Sequence, residues 1–278
     1  MPGLLILCAT PIGNLGDAPP RLKEAIAVAD IVYAEDTRRS SKLLEALGVE
    51  QTLRSYFAGN EAARSSELAG HLADGATVVL LTDAGTPSIS DPGLSAVHAA
   101  ITVGAGVTVV PGPSAVTAAL AVSGLPSERF VFEGFLPRKG GGRATRLAAL
   151  ATETRTAVLF AAKGKVARDL RDLADVLGAD RTVVVVRELT KLHEEVWRGT
   201  LGEAALRWSE TVAPRGEFTL VLSGAVESEP EPADLLAAVA DLEAAGVSRS
   251  EAVRQVAGLR GVSRRELYEM VIKGRAGA

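Results

Sequence analysis

Four short stretches hold most of the residues that could handle a small charged ligand. They are Thr10-Pro11-Ile12-Gly13-Asn14-Leu15-Gly16-Asp17, Glu35-Asp36-Thr37-Arg38-Arg39, the run from Asp83 to Gly93, and Pro111-Gly112-Pro113-Ser114-Ala115. Each follows an apolar run that reads as a strand. Glycine and proline after one strand are ordinary turn chemistry, but four such loops on one sheet edge describe a pocket. Gly85, Gly93 and Gly112 let a ligand approach the backbone, and Ser114 opens a helix whose first N–H groups have no partner within it. Loops of this kind can wrap an adenosine and a carboxylate through backbone atoms. The GxGxxG fingerprint and the GxxxxGK[ST] phosphate loop are both absent. The glycine run Gly140-Gly141-Gly142 follows no strand directly and reads as a flexible loop. These absences disfavour nicotinamide and phosphotransfer chemistry.

The charged candidates each carry two readings. Asp36 and Arg38 follow the second apolar run, either as a proton acceptor with its cation or as a surface ion pair with a helix cap. Asn14 can hydrogen-bond a ligand or close an Asx turn. Glu188 and Lys191 face the same cleft if the two halves of the chain stack, and otherwise form a solvated edge. Asp83 is given a structural or ligand-side role, and Asp91 can cap a helix. His71, His98 and His193 stand alone with no HxxxH spacing, and Cys8 is the single cysteine, so no disulfide and no metal site is expected. Trp197 and Trp208 read as packing residues. Arg138, Lys139, Arg143 and Arg146 cluster without an acid among them and read as a mobile basic loop, which Lys163, Lys165 and Arg168 can extend. Phosphate contacts supply much of the affinity for a nucleic acid, which makes this stretch the candidate nucleic-acid surface.

The elements that must position these residues alternate. Strands are expected at 3–9, 31–34, 77–82 and 107–110, with helices opening at Pro20 and covering 40–47, 61–73, 94–103 and 114–123. Unbroken apolar strands between helices argue a mostly parallel sheet covered on both faces. A second α/β pass follows, with strands at 130–132, 156–161, 182–188 and 218–223 and helices at 144–152, 166–177 and 200–210. The domains read as 1–120, 121–226, a polar proline-rich linker at 227–232 and a basic helical tail at 233–278. Capping-box patterns at Ser248 to Glu251 and Ser263 to Glu266 open two of its three expected helices.

The 278 residues carry 30 Lys and Arg against 34 Asp and Glu, a net charge of -4, so any nucleic-acid surface must be local. No apolar run reaches the roughly 18–20 residues of a membrane span, and the N-terminus reads as a buried strand, not a signal peptide. A soluble cytoplasmic protein is expected, with no membrane or DNA partner.

The four loops, together with Phe130–Lys139 and Arg187–Glu195, resemble the ribosomal RNA small subunit methyltransferase I family of the tetrapyrrole methylases. The likeness runs from about residue 4 into the tail. It implies two α/β domains with S-adenosylmethionine bound in the cleft between them, plus the small C-terminal helical module. It further implies 2′-O-methylation of cytidine 1402 of 16S rRNA on the small ribosomal subunit, by a homodimer. The cofactor contacts it implies fall on Pro11, Asp83, Ala84, Gly85, Thr86, Ser88, Ile89, Ser114 and Ala115, with Ala162 and Leu189 from the second half. Two places depart from the family pattern: Phe160–Lys165 lacks its acid and proline, and Ser55–Glu61 lacks its histidines. A precorrin-type tetrapyrrole methyltransferase and a ribosome-binding factor without catalysis are the alternatives. The basic loop and tail argue against the first, and only the altered 160–165 stretch favours the second.

Overall fold

The computed structural model describes residues 2–162, 164–209, 214–226 and 232–276. The chain forms two compact units, Met1–Ala225 and Val226–Ala278.

The first unit opens with a parallel sheet in the order β3-β2-β4-β1-β5. Its strands are β1 (Leu4–Cys8), β2 (Ile31–Ala34), β3 (Leu53–Ser55), β4 (Thr77–Leu81) and β5 (Gly106–Val110). Side chains alternate across it. Ile6, Cys8, Val32, Val79 and Leu81 pack against Leu22 and Ile26 of α1 (Pro20–Ala27) and Leu43 and Leu44 of α2 (Thr37–Leu47). Leu5, Tyr33, Val78 and Leu80 pack on the other face against Leu68 and Leu72 of α3 (Glu61–Ala73) and Ala96 and Ala100 of α4 (Leu94–Thr102). Both faces of β1, β2 and β4 are buried, which is why these strands read as unbroken apolar runs. Cys8 lies fully inside, and burial pushes its thiol up to about 12. Pro20 supplies the first helical residue of α1, where its missing N–H costs nothing.

The second sheet is mixed, in the order β6-β7-β10-β8-β9. It comprises β6 (Phe130–Phe135), β7 (Thr156–Ala161), β8 (Thr182–Arg187), β9 (Glu195–Thr200) and β10 (Phe218–Leu222). Only β6 and β7 run parallel; β10 opposes both its neighbours, and β8 and β9 form an antiparallel pair. Two strands were not anticipated. β3 is only three residues long, and β9 hides in the charged sequence Glu195-Val196-Trp197-Arg198. Leu159, Val183, Val185 and Leu220 pack with α6 (Gly141–Thr152), α7 (Val166–Leu177) and α8 (Leu201–Arg207). Trp197 and Trp208 pack edge to face in that core, with ring centroids 5.1 Å apart. The opposite face holds Val158, Val184, Val186 and Val221 against Val116, Ala119 and Leu120 of α5 (Ala115–Ser123). The helix that ends the first βα series therefore covers the second sheet.

The glycine run is also ordered differently from its sequence reading. Gly141 and Gly142 form the first turn of α6, because Arg143 is anchored from within it. Its guanidinium reaches Asp169 at 2.8 Å, Asp172 at 2.7 Å and the Pro137 carbonyl at 3.0 Å, and the residue is 5% exposed. Arg143 is a buried strut between α6 and α7, not a member of a mobile basic loop.

The second unit contains α9 (Pro232–Ala244), α10 (Arg249–Arg260) and α11 (Arg264–Ala276), packed around Leu235, Val239, Val253, Val256, Leu267 and Val271. Pro232, read from sequence as the end of the linker, opens α9, and the rest of that segment lies outside the described residues.

Candidate active site

At the carboxyl ends of the β1, β2, β4 and β5 strands, the loops of the first sheet face the second sheet across a cavity of about 420 Å³. That size is ordinary for a small-molecule site, and the position at the strand ends is where open α/β sheets bind ligands. The first wall is Ile12, Glu35, Arg39, the run Asp83–Thr86, Ile89–Asp91 and Ser114. The second is Phe135, Phe160–Ala162, Val186, Leu189 and Glu217–Thr219, with Ala115 and Val116 of α5 between them.

The loops are held by their own backbones. Thr10 and Gly85 exchange N–H to carbonyl bonds of 2.8 and 3.1 Å, and the Thr10 hydroxyl donates to the Thr82 carbonyl. Gly85 sits at φ +85, a conformation that side chains resist. Ser88 and Ser90 adopt φ values of 72 and 64 without being glycine, so the loop stores strain beside the cavity, as binding sites often do. Ser114 is the N-cap of α5 and makes no side-chain cap bond. The first N–H groups of that helix thus stand at the cavity wall, a favourable place for a carboxylate.

Nine of the eleven expected cofactor contacts line the cavity: Asp83, Ala84, Gly85, Thr86, Ile89, Ser114, Ala115, Ala162 and Leu189. Pro11 and Ser88 do not. The Ser88 hydroxyl is buried without a partner, 2.7 Å from where a Cβ on Gly93 would stand. Of the opposite wall, sequence reading named only Ala162 and Leu189. Phe135, Phe160 and Phe218 come from three strands; Phe135 and Phe160 meet with centroids 5.5 Å apart.

None of the five residues singled out for catalysis lines the cavity. Asp36 is the N-cap of α2, accepting from the Arg38 N–H at 2.9 Å and from its guanidinium at 3.1 and 2.8 Å. Those hydrogen bonds hold its carboxyl well below the ordinary range, which makes it a poor proton acceptor. Arg38 is the exposed partner of that pair. Its neighbour Arg39 is the one that reaches the cavity, donating to Asp83 at 3.1 Å. Asn14 accepts from Gly16 N–H at 2.9 Å and caps a short 3-10 turn. Glu188 and Lys191 pair at 3.2 Å, and Lys191 also donates to Glu217 at 2.7 Å. Burial opposes the Lys191 charge, but Glu217 and Glu188 hold its pKa above the usual value, so it is a cation and no base.

The polar end of the cavity is acidic. Glu35 accepts from the Thr82 hydroxyl at 3.0 Å and the Asp83 N–H at 3.2 Å. Asp83 accepts from the Asp36 N–H at 3.0 Å as well as from Arg39. Asp91 caps no helix, since Gly93 stands at the N-cap of α4. Burial first, and then the charges of Glu35 and Asp83, push its carboxyl up to about 6. The residues fit S-adenosylmethionine. Phe135, Phe160 and Leu189 offer apolar area to a purine, the open N-terminus of α5 suits its carboxylate, and Glu35 and Asp83 suit its positive charges.

Of the basic residues, Arg138 and Lys139 are exposed, following Phe135 of the cavity wall. Arg146 is paired with Glu133. Arg168 donates to the Arg138 carbonyl at 3.1 Å, and Lys163 lies outside the described residues.

The model of the tetrapyrrole (corrin/porphyrin) methylases matches residues 4–205. A protein of Mycobacterium tuberculosis called ribosomal RNA small subunit methyltransferase I is 48% identical over 276 residues, covering 98% of this chain and 96% of that one. A protein of the same name from Synechocystis is 43% identical, covering 98% of each. The uroporphyrin-III-C-methyltransferase of Thermus thermophilus shares the fold, with a TM-score of 0.55 and 20% identity over 80% of this chain and 94% of that one. This chain is accordingly an S-adenosylmethionine-dependent methyltransferase. With its cavity at the strand ends and its near full-length likeness to these relatives, it belongs to the ribosomal RNA small subunit methyltransferase I family of the tetrapyrrole methylases.

Proposed function

We propose that this chain methylates the 2′-hydroxyl of cytidine 1402 of 16S rRNA on the small ribosomal subunit. The observation that carries the reading is the cavity itself: a wall of backbone-rich loops faces an aromatic wall that leads directly to exposed Arg138 and Lys139. A nucleotide entering there brings phosphates, which those cations can hold without reading sequence. S-adenosylmethionine supplies an activated methyl group. What remains for the chain is alignment of the hydroxyl and disposal of its proton, and alignment can account for a large part of the barrier.

The active form is a homodimer in the cytoplasm. Strand β5 is an open edge of the first sheet, with Val107 and Val109 exposed, and Ile101 and Val103 beside it also face solvent. An apolar open edge is a pairing surface unless something covers it. No helix among the described residues is long and apolar enough to cross a membrane.

The test is transfer of labelled methyl from S-adenosylmethionine, offered small subunits lacking the modification and, in parallel, a precorrin. Label on the subunits alone is expected. Label on the precorrin alone would place the chain among the small-molecule methylases.

A further inference from the structure

We propose that the Asp91 carboxylate accepts the proton of the acceptor hydroxyl during methyl transfer. The proposal rests on the ribose-methylation reading above.

Four carboxylates line the cavity: Glu35, Asp83, Asp91 and Glu217. Three are committed. Glu35 holds the Thr82 hydroxyl and the Asp83 N–H, Asp83 holds Arg39 and the Asp36 N–H, and Glu217 is paired with Lys191. Among the described residues Asp91 has neither a cation nor a backbone donor; only the Thr82 hydroxyl, which Glu35 also holds, stands within its reach. Its place is fixed by a folded-back loop. The Ser88 N–H donates to the Pro92 carbonyl at 3.3 Å, Ser90 precedes it at φ 64 and Gly93 follows at φ 145. The Ser90 hydroxyl stands 3.4 Å from where a Cβ on Gly134 would lie, so the loop is seated against the bulge of β6 on the opposite wall. A strained loop that aims a carboxyl into a cavity, away from any counterion, is the arrangement a proton acceptor needs.

The charged groups that face Asp91 are Glu35 at the end of β2 and Asp83 after β4, both acidic, with Arg39 of α2 held by Asp83 and Glu217 of β10's approach held by Lys191. Burial and that negative surround raise the carboxyl toward 6. It is then ionised at neutral pH yet a far better base than an ordinary carboxylate. In the step, the 2′-oxygen bonds to the methyl carbon, the carbon–sulfur bond breaks with its electron pair left on sulfur, and the hydroxyl proton passes to Asp91. The sulfonium charge is lost, Asp91 becomes neutral, and charge balances.

The test joins a direct titration with kinetics. The carboxyl carbon of Asp91, assigned by its loss in Asp91→Asn, is followed by NMR against pH in the chain alone. A midpoint near 6 is expected, and an ordinary value near 4 would overturn the proposal. Asp91→Asn should bind S-adenosylmethionine unchanged by calorimetry yet lose about 10²–10⁴-fold in single-turnover transfer. The wild-type rate should rise through pH 6 and level off. A variant that loses cofactor affinity would assign Asp91 to binding instead. Methyl on the ribose with an undiminished Asp91→Asn rate would overturn this proposal alone, whereas methyl on a base would overturn it together with the reading it rests on.

Discussion

Arg138 and Arg143 carry the same charge in opposite situations. Arg143 is enclosed with Asp169 and Asp172, so Arg143→Ala leaves buried acid without its cation. The chain should lose about 3–5 kcal/mol in urea unfolding; a near-neutral result would mean that α6 and α7 are held otherwise. Arg138→Ala and Lys139→Ala touch no described ion pair and should leave stability alone. Each should weaken small-subunit binding and lower its salt slope by about 1. Asp36 gives a third contrast. As the N-cap of α2, tied to Arg38, it supports the helix. Asp36→Ala should reduce thermal stability slightly and keep methyl transfer; a collapse of the single-turnover rate with the fold intact would restore it as a catalytic group. The sequence presented Asp36-Thr37-Arg38-Arg39 as one charged run, and nothing in it says which arginine the start of α2 turns inward. Arg39 is the one on the cavity.

At the scale of elements, the first wall of the site was legible because one sheet makes it. Parallel strands put every following loop on the same edge, so loops rich in glycine, proline and serine after β1, β4 and β5 were bound to meet. Of the second wall only Ala162 and Leu189 were legible, through the family resemblance. Phe135, Phe160 and Phe218 lie on separate strands of a mixed sheet whose order no local pattern announces. The strand β9 is hidden for a related reason: as a partly covered edge strand it mixes charged and apolar residues and never forms an unbroken apolar run. The loop after β4 yields an element-scale prediction. Gly85 pairs with Thr10 and holds a positive φ, so Gly85→Val should displace the cavity backbone. Calorimetry should show S-adenosylmethionine affinity reduced at least about tenfold, on the order of the 1–3 kcal/mol that such backbone strain costs. Unaltered affinity would mean this loop does not carry the cofactor.

At the scale of the molecule, the chain joins a body with two sheets to a helical unit with its own core. The acidic total of -4 conceals both the exposed Arg138 and Lys139 and the arginines of the tail. Net charge therefore told little about the partner, and motif blocks told much more. The open β5 edge is where a second copy should sit. Val109→Lys places a charge on that edge, as natural proteins do to prevent pairing, and should give monomers by sedimentation; an unaffected dimer would place the interface elsewhere.

Everything proposed for this site turns on whether the methyl group goes to a ribose oxygen of small-subunit RNA. The most direct measurement is mass spectrometry of nucleosides released from small subunits treated with the chain and labelled S-adenosylmethionine. Label is expected in 2′-O-methylcytidine, in a linkage that resists alkaline hydrolysis. Label on a cytosine ring, or on another nucleoside, would contradict it.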